Sequence, residues 1–302
     1  MKSEAIQGGV AAKDRHILAI FNPAAGRNRR RKFERVVGLL RAAGCTVTVR
    51  ATAGRGDAER IAREAADTGC EMVAAAGGDG TVNEVVNGLA GTGLALGIIP
   101  LGTANVVADE IGLSKDPHEV ARTLAQGPLR PIRVGRANGR RFVMMAGVGF
   151  DANVISRVSL ALKKVIGPLA YVWTSAVQGF RDPFAHCAVT VDGQGRSAVS
   201  AVACKGRRYG GPFIAAPDAN LAADSFQVVL MKGRGWFSVA RYGAALIFGK
   251  VAMWSDVEII EGRDVVISGT TGQTVQADGD IIAALPVRIE IDPEPLRVAF
   301  PR

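Results

Sequence analysis

A doubly wound α/β domain with a parallel sheet, followed by a mainly antiparallel β-sandwich domain with one helical insertion, is the fold this sequence predicts. Three observations carry it. Over residues 14–128, short apolar runs alternate with helical periodicities across brief connections, the pattern of parallel strands joined by crossover helices. Over residues 129–293, short strands follow one another between turn signals, the pattern of antiparallel sheets. Residues 294–302 carry one more apolar run that can return to the first domain.

The first domain opens, after a loose tail at 1–13, with the apolar strand 16–21. Asn22-Pro-Ala-Ala-Gly26 turns the chain into a helix over 27–43, where Phe33, Val36, Val37, Leu39 and Leu40 recur at helical spacing. Residues 45–52 alternate as a strand does, and 57–68 read as a helix with Asp57 at its N-cap. The buried strand 71–76 leads to a helix over 81–89. Residues 94–100 are a fourth strand, followed by helices to about 111 and over 116–126. In the second domain, 130–145 reads as a hairpin bent at Asn138-Gly139. The helical insertion spans 153–180. Short strands then occupy 185–191, 197–205, 226–231, 257–261, 264–268, 274–277 and 287–291, and 296–300 is the returning run.

The chain has 302 residues, enough for two domains, and 48% of them are apolar, enough for substantial cores. A net charge of +9 suits an anionic partner: a nucleotide, an acidic membrane surface or nucleic acid. Aromatic residues are few and interleave with no basic stripe, which argues against nucleic acid. The four cysteines form no CxxC pair and the three histidines are scattered. That pattern argues against a zinc site or disulfide framework and for free thiols in a reducing, cytoplasmic compartment. Residues 1–15 lack the apolar centre of a signal peptide. The uncharged run 85–108 is broken by glycines and Pro100, and 165–180 falls short of the ~20 residues that span a bilayer. Membrane contact is therefore expected to be peripheral. Trp173, Phe180, Trp236, Phe237 and Trp254 either meet lipid or a partner there or belong to the core.

The chemistry gathers around Gly77-Gly-Asp-Gly-Thr-Val-Asn-Glu84. Its three glycines lie between a strand and a helix, where they permit close approach of a ligand to the main chain. The first N–H groups of the helix favour an anion. Asp79 inside such a phosphate cradle makes sense when a cation stands between carboxylate and phosphate; alternatively it caps a tight turn. The turns at 22–26, 77–81 and 102–105 each follow a strand, so they gather at the carboxyl edge of the sheet, where ligands of such folds bind. The basic run Arg27-Asn-Arg-Arg-Arg-Lys32 is a solvated helix face or meets phosphate or headgroups, each cation near an anionic surface contributing about 1 kcal/mol.

Together with Asn22-Pro-Ala-Ala-Gly26, Pro100-Leu-Gly-Thr-Ala-Asn105, Gly210-Gly-Pro-Phe-Ile-Ala-Ala-Pro-Asp-Ala219 and Ala277-Asp-Gly-Asp280, this stretch resembles the diacylglycerol kinase catalytic-domain family. That family includes soluble bacterial lipid kinases, sphingosine kinases and ceramide kinases. The motifs keep their order from about Ile17 to the C-terminus, whereas a lone Gly-Gly-Asp-Gly-Thr is shared with NAD kinases and phosphofructokinases. The resemblance implies ATP in the first domain, an acceptor in the second and catalysis in the cleft between them. It implies nucleotide contacts at Asn22, Pro23, Ala24, Ala25 and Gly26, and at Gly77, Gly78, Asp79, Gly80, Thr81, Val82 and Asn83. Thr52 and Thr103 match further contacts, although either serves equally as a turn or helix cap.

The resemblance also implies Asp278 as the base that takes the acceptor hydroxyl's proton, with Asp280 as its partner or a nucleotide contact. From the residues alone, Asp278-Gly279 reads first as a hairpin bend with solvated carboxylates. Asp280 stands where the family carries Glu and is one methylene shorter. A Mg²⁺ loop is implied at Leu221-Ala-Ala-Asp-Ser-Phe226, with the Asp224 carboxylate and the Leu221 and Phe226 carbonyls as hard oxygen ligands. Asp79 is the other metal-side carboxylate. Here Asp224-Ser225 replaces the family's Asp-Gly, and Val106 replaces an Asp of its metal–water network, with Asp109 one turn further on. A functional lysine is implied at Lys163, beside Lys164, in Leu162-Lys-Lys-Val-Ile-Gly-Pro-Leu-Ala-Tyr171.

The activity so implied is ATP- and Mg²⁺-dependent phosphorylation of a lipid hydroxyl, by a cytoplasmic protein peripheral to the inner membrane surface. Diacylglycerol is the first acceptor; a sphingoid base, ceramide or phosphatidylglycerol is the alternative. A NAD kinase-like enzyme with a soluble acceptor competes with this reading. So does a nucleotide-binding regulatory protein with weakened catalysis, which the residues Val106 and Asp280 motivate. No heptad seam or strand edge announces an oligomer, and a homodimer stays open.

Overall fold

The structure is a computed structural model and describes residues 15–25, 27–149, 186–210, 213–247, 251–270 and 273–302. Gly26 and the insertion expected at 153–180, with Lys163, Lys164, Trp173 and Phe180, lie outside the described residues.

The first sheet holds β1 (His16–Phe21), β2 (Thr46–Ala51), β3 (Met72–Gly77), β4 (Ala95–Pro100), β5 (Leu129–Ile132) and, from the far end of the chain, a returning strand at Leu296–Ala299. In spatial order these run β2, β1, β3, β4, the returning strand and β5. β1 to β4 pair in parallel, and so does the returning strand with β4; β5 closes the edge antiparallel. β3 and β4 are buried at every position, which is why they read as unbroken apolar runs rather than alternating ones. Helices α1 (Arg27–Ala42), α2 (Asp57–Glu64), α3 (Asp79–Gly88), α4 (Val106–Glu110) and α5 (Pro117–Gln126) follow the strands. α1 packs with α5 and α2 with α3, two helical layers on one sheet.

The chain leaves the first sheet after Ile132, a few residues beyond the crossing expected before Leu129. Two six-stranded antiparallel sheets follow. One contains β6 (Gly135–Ala137), β7 (Arg140–Phe142), β9 (Cys187–Val191), β10 (Gln194–Ala198), β16 (Asp264–Ser268) and β19 (Val287–Ile291). The other contains β8 (Met145–Val148), β11 (Ser200–Cys204), β14 (Phe226–Met231), β15 (Val257–Gly262), β17 (Thr274–Ala277) and β18 (Asp280–Ala284). Their inner faces share one core, in which Phe142 stacks on Phe226 at 5.9 Å. A short pair, β12 (Arg208–Gly210) and β13 (Phe213–Ile214), stands apart, and the returning strand is β20.

The hairpin expected at 130–145 is confined to β6 and β7, bent at Asn138-Gly139 with both φ values positive. Helix α6 (Gly235–Ile247) was not expected. Its Tyr242, Ala245 and Leu246 cover the outer face of the second sandwich sheet, against Val229 and Met231. Asp57 is not the N-cap of α2. The helix starts at Asp57 after Gly56 in the left-handed conformation, and Asp57 Oδ2 accepts from Ala53 N at 2.7 Å to brace the preceding loop. The N–H groups at the start of α2 are met instead by Glu84 of α3, which accepts from Gly56 N (3.0 Å) and Ala58 N (3.1 Å). All four cysteines are buried and stand outside any disulfide.

Candidate active site

In the first sheet the strand order reverses between β1 and β3, because the chain steps out to β2 and then returns to the other side of β1. The two turns at this switch point are tied together. Asn22 N donates to Ala76 O (3.0 Å), Asn22 Nδ2 donates to Thr81 Oγ1 (3.2 Å), and Asn22 Oδ1 accepts from Ala24 N (3.0 Å). The third turn joins them when Leu101 N and Gly102 N both donate to Gly77 O (2.9 and 3.1 Å). Gly78 and Gly102 then touch backbone to backbone: a Cβ on Gly102 would lie 2.5 Å from Gly78 Cα. A Cβ on Gly80 would meet nothing nearer than Asp280 Oδ2, at 4.0 Å, so this glycine opens toward the sandwich.

A cavity of about 450 Å³ occupies the gap. Of the residues expected to contact nucleotide, Asn22, Pro23, Ala24, Thr52, Gly78, Gly80 and Thr81 line it. Arg55 and Glu84, which the sequence did not single out, line it as well, and Asp280 closes it from the sandwich. The signals were local and easily passed over. Arg55 lies three residues past Thr52, and Glu84 lies one residue past the nucleotide contacts inferred from its own motif.

Several expected residues are engaged elsewhere. Val82 is packed in the first core. Asn83 is buried on α3, where its Nδ2 donates to Arg141 O (3.3 Å) and Asp278 Oδ2 (3.0 Å). Thr103 is exposed three residues before α4, with Arg29 Nη2 at 3.3 Å from its hydroxyl, so it does not start that helix. Asp79, at the head of α3, caps α4: Oδ1 accepts from Val106 N (2.6 Å) and Oδ2 from Asn105 N (3.0 Å). Burial pushes the Asp79 carboxyl up, and these N–H donors pull it partly back.

Asp278 and Gly279 form the two-residue turn between β17 and β18, at φ 47° and 90°. Asp278 turns its carboxylate inward rather than to solvent. Oδ1 accepts from Met144 N (2.8 Å) and Met145 N (3.1 Å), and Oδ2 accepts from Val143 N (2.7 Å) and Asn83 Nδ2 (3.0 Å). Four donors fill the roughly four acceptor positions of a carboxylate. Burial raises this carboxyl, with the donors opposing. Among the described residues, Asp280 Oδ1 pairs with Arg55 Nη2 at 3.0 Å.

The expected Mg²⁺ loop is occupied by the chain itself. Arg133 Nε lies 2.7 Å from Asp224 Oδ1, and Arg133 N donates to Leu221 O (2.8 Å). Phe226 is fully buried in the ladder of β14. Lys205, also buried, donates from Nζ to the carbonyls of Asn220 (3.2 Å), Ser225 (3.1 Å) and Ala223. The residues present therefore do not fit a divalent ion at this loop. Among the described residues no three His, Cys, Asp or Glu side chains converge.

Comparison with known proteins agrees with this architecture. Residues 16–137 match the family described as the diacylglycerol kinase catalytic domain, and residues 144–300 match the YegS C-terminal NAD kinase beta sandwich-like domain. The chain is 33% identical over 304 residues to the "Probable lipid kinase YegS-like" of Pseudomonas aeruginosa PAO1, covering 96% of this chain and 95% of that one. It is 40% identical over 156 residues to the diacylglycerol kinase of Bacillus subtilis strain 168, covering 50% of this chain and 52% of that one. The crystal structure of a diacylglycerol kinase from Bacillus anthracis superposes with a TM-score of 0.78 at 24% identity, over 95% of this chain and 97% of that one, a likeness that speaks for the fold.

Proposed function

The chain belongs to the diacylglycerol kinase catalytic-domain family, and we propose that it is a lipid kinase moving the γ-phosphoryl group of ATP to a hydroxyl of a membrane lipid. Diacylglycerol is the first acceptor to test, with a sphingoid base, ceramide and phosphatidylglycerol behind it. The observation that carries the reading is the cavity of about 450 Å³ at the switch point, walled by the turns at 22–24 and 78–81 and faced by Asp280 of the sandwich. The first N–H groups of α3 favour phosphate there, and Thr81, Thr52 and Arg55 add polar contacts around it. Mg²⁺ carried with the nucleotide neutralises charge between its phosphates. Asp280 and Glu84 are the carboxylates that line the cavity such an ion would enter, whereas both oxygens of Asp79 are spent on the start of α4.

We assign the base role to Asp280 rather than Asp278. Asp278 has no acceptor position left for a substrate proton, whereas Asp280 Oδ2 is the atom that faces Gly80. The acceptor oxygen bonds to the γ-phosphorus and the bond from that phosphorus to the β–γ bridging oxygen breaks. ADP leaves, and the hydroxyl proton passes to Asp280. Asp278 is a positioning residue: it ties α3 to the 143–145 segment and so holds the turn that carries Asp280.

An acceptor drawn from a bilayer requires docking. Phe237, Met253 and Trp254 are exposed large apolar side chains, and the net charge of +9 favours an anionic surface. No helix among the described residues is long and apolar enough to cross a membrane. The test is ³²P transfer from ATP to a lipid panel in anionic vesicles, with NAD as the soluble alternative. Transfer to a lipid is expected, and Asp280→Asn should lower kcat by roughly 10²–10⁴ with little change in KM for ATP. Transfer to NAD and to no lipid would sink the reading. A folded Asp278→Asn enzyme that loses kcat while Asp280→Asn keeps it would return the base role to Asp278.

A further inference from the structure

We propose that the loop from Asn220 to Ser225 is built around a cation of the chain's own, the Lys205 ammonium, and that this loop holds no divalent metal ion.

Lys205 follows β11 directly, and its side chain is completely shielded from solvent. Its ammonium meets the carbonyls of Asn220, Ala223 and Ser225, three acceptors for the three protons it carries. The ring of Phe226 lies 6.0 Å below it. A Mg²⁺ or Ca²⁺ ion would need six or more oxygen ligands in this space, including a carboxylate. The one carboxylate within the loop, Asp224, is paired with Arg133, whose own N–H takes the Leu221 carbonyl. A divalent ion would therefore have to displace two cations from the carbonyls and the carboxylate at once. The three carbonyls take all three protons of the ammonium form, whereas a neutral amine would leave one of them without a donor.

The arrangement reaches the catalytic cleft through the backbone. Lys205 N and Gly206 N both donate to Met144 O (2.8 and 3.2 Å), and Met144 N donates to Asp278. Fixing the loop with a covalently attached cation thus fixes the segment that orients the β17–β18 turn, whatever the metal supply. On the kinase reading, the reaction's Mg²⁺ requirement is that of the nucleotide alone.

The full-length chain, free of nucleotide, is titrated calorimetrically with Mg²⁺ and with Mn²⁺, as wild type and as Asp224→Asn. Indistinguishable titrations of the two proteins are expected, with melting of the wild type unaffected by EDTA. An ion bound by the wild type and lost in Asp224→Asn overturns the proposal; an ion bound equally by both lies outside the loop and leaves it standing. Lys205→Gln, which empties the carbonyl cage, should melt roughly 5–10 °C lower and recover part of that loss in Mg²⁺ or Ca²⁺. A Lys205→Gln protein that melts like the wild type overturns the proposal. Should that variant fail to fold, the Asp224→Asn comparison carries the test alone. At saturating MgATP, added free Mg²⁺ should leave the rate flat. A protein with no lipid kinase activity at all would count against the kinase reading, while the titration would still decide the loop.

Discussion

Arg55 Nη2 and Asp280 Oδ1 meet at 3.0 Å although 225 positions separate them in sequence, and both face the cavity. Their side chains are 77% and 40% exposed, so this pair contributes little stability, within about 1 kcal/mol. Its consequence is chemical. On the proposed kinase reading, a bound triphosphate would compete for the guanidinium, and Arg55 turning to phosphate would release the second oxygen of Asp280 beside the first. Arg55→Ala should therefore leave the melting temperature near the wild-type value and raise KM for ATP roughly 10- to 100-fold, the worth of one charge-assisted hydrogen bond. Steady-state kinetics beside a thermal melt checks this; a variant that melts early with an unchanged KM would make the pair structural. The same residues mark where sequence reading ends. Gly78, Gly80 and Thr81 were legible because strand, turn and helix are specified by consecutive residues. Arg55 and Lys205 were not, because their roles depend on partners supplied by distant stretches: Asp280 for the one, and the Asn220–Ser225 carbonyls for the other. Asp278 was legible as a residue but not in its orientation, since a hairpin bend predicts a solvated carboxylate and only the fold supplies four N–H groups to hold it inward.

At the scale of elements, the cradle depends on two strand-to-helix turns approaching closer than side chains permit. A methyl at Gly102 would meet the backbone of Gly78 at 2.5 Å and Asn105 Oδ1 at 2.7 Å, and neither has a flexible end that could swing away. Asn105 Oδ1 is itself held by Gly102 N at 2.7 Å. Gly102→Ala must therefore push the β4–α4 turn off the β3–α3 turn. Overpacking of this kind costs about 1–3 kcal/mol. Because Asp79 binds the start of α4, the displacement should also disturb the head of α3 and weaken ATP binding beyond the loss of stability. Calorimetric titration with a non-hydrolysable ATP analogue, set beside urea unfolding, separates the two effects; unaltered nucleotide affinity would mean that the third turn is not part of the cradle. The elements themselves were largely readable, since unbroken apolar runs mark the buried parallel strands and alternation marks the half-exposed antiparallel ones. Helix α6 was missed because Gly233, Gly235 and Gly243 punctuate its sequence like a loop, while its apolar face is specified by the sheet it covers. Its position before a periodic stretch marks Asp57 as a cap, but Glu84, from another helix, does the capping.

The two halves of the molecule are joined by more than the chain crossings, and a buried polar seam makes their union sensitive to pH. Arg141, at the start of the sandwich, accepts Asn83 and Asn87 on its carbonyl at 3.3 and 3.0 Å. It sends its guanidinium to Asp292 (2.7 and 3.1 Å) and Glu294 (2.6 Å), just ahead of the returning strand β20. Arg141 and Asp292 are almost wholly buried, so removing either partner would strand a charge. Glu294 is partly exposed and also accepts Gly91 N from the first domain at 2.9 Å, so it clasps the two domains from the rim. The Arg141 guanidinium and that N–H hold its carboxyl below the usual glutamate value of 4.5. The sign follows from linkage: the unfolded chain takes up this proton first, so the stabilisation is complete above the usual value and is lost as pH falls through the lowered one. Solvent screening keeps it within about 1 kcal/mol. Glu294→Gln should therefore be slightly less stable than the wild type at neutral pH, and the two should converge as the wild type's carboxyl is protonated. Urea midpoints measured from pH 7 down to pH 3 test this. A stability gap that stays constant over the whole range would mean that Glu294 acts through packing and not through its charge, and that the clasp between the domains is insensitive to acid.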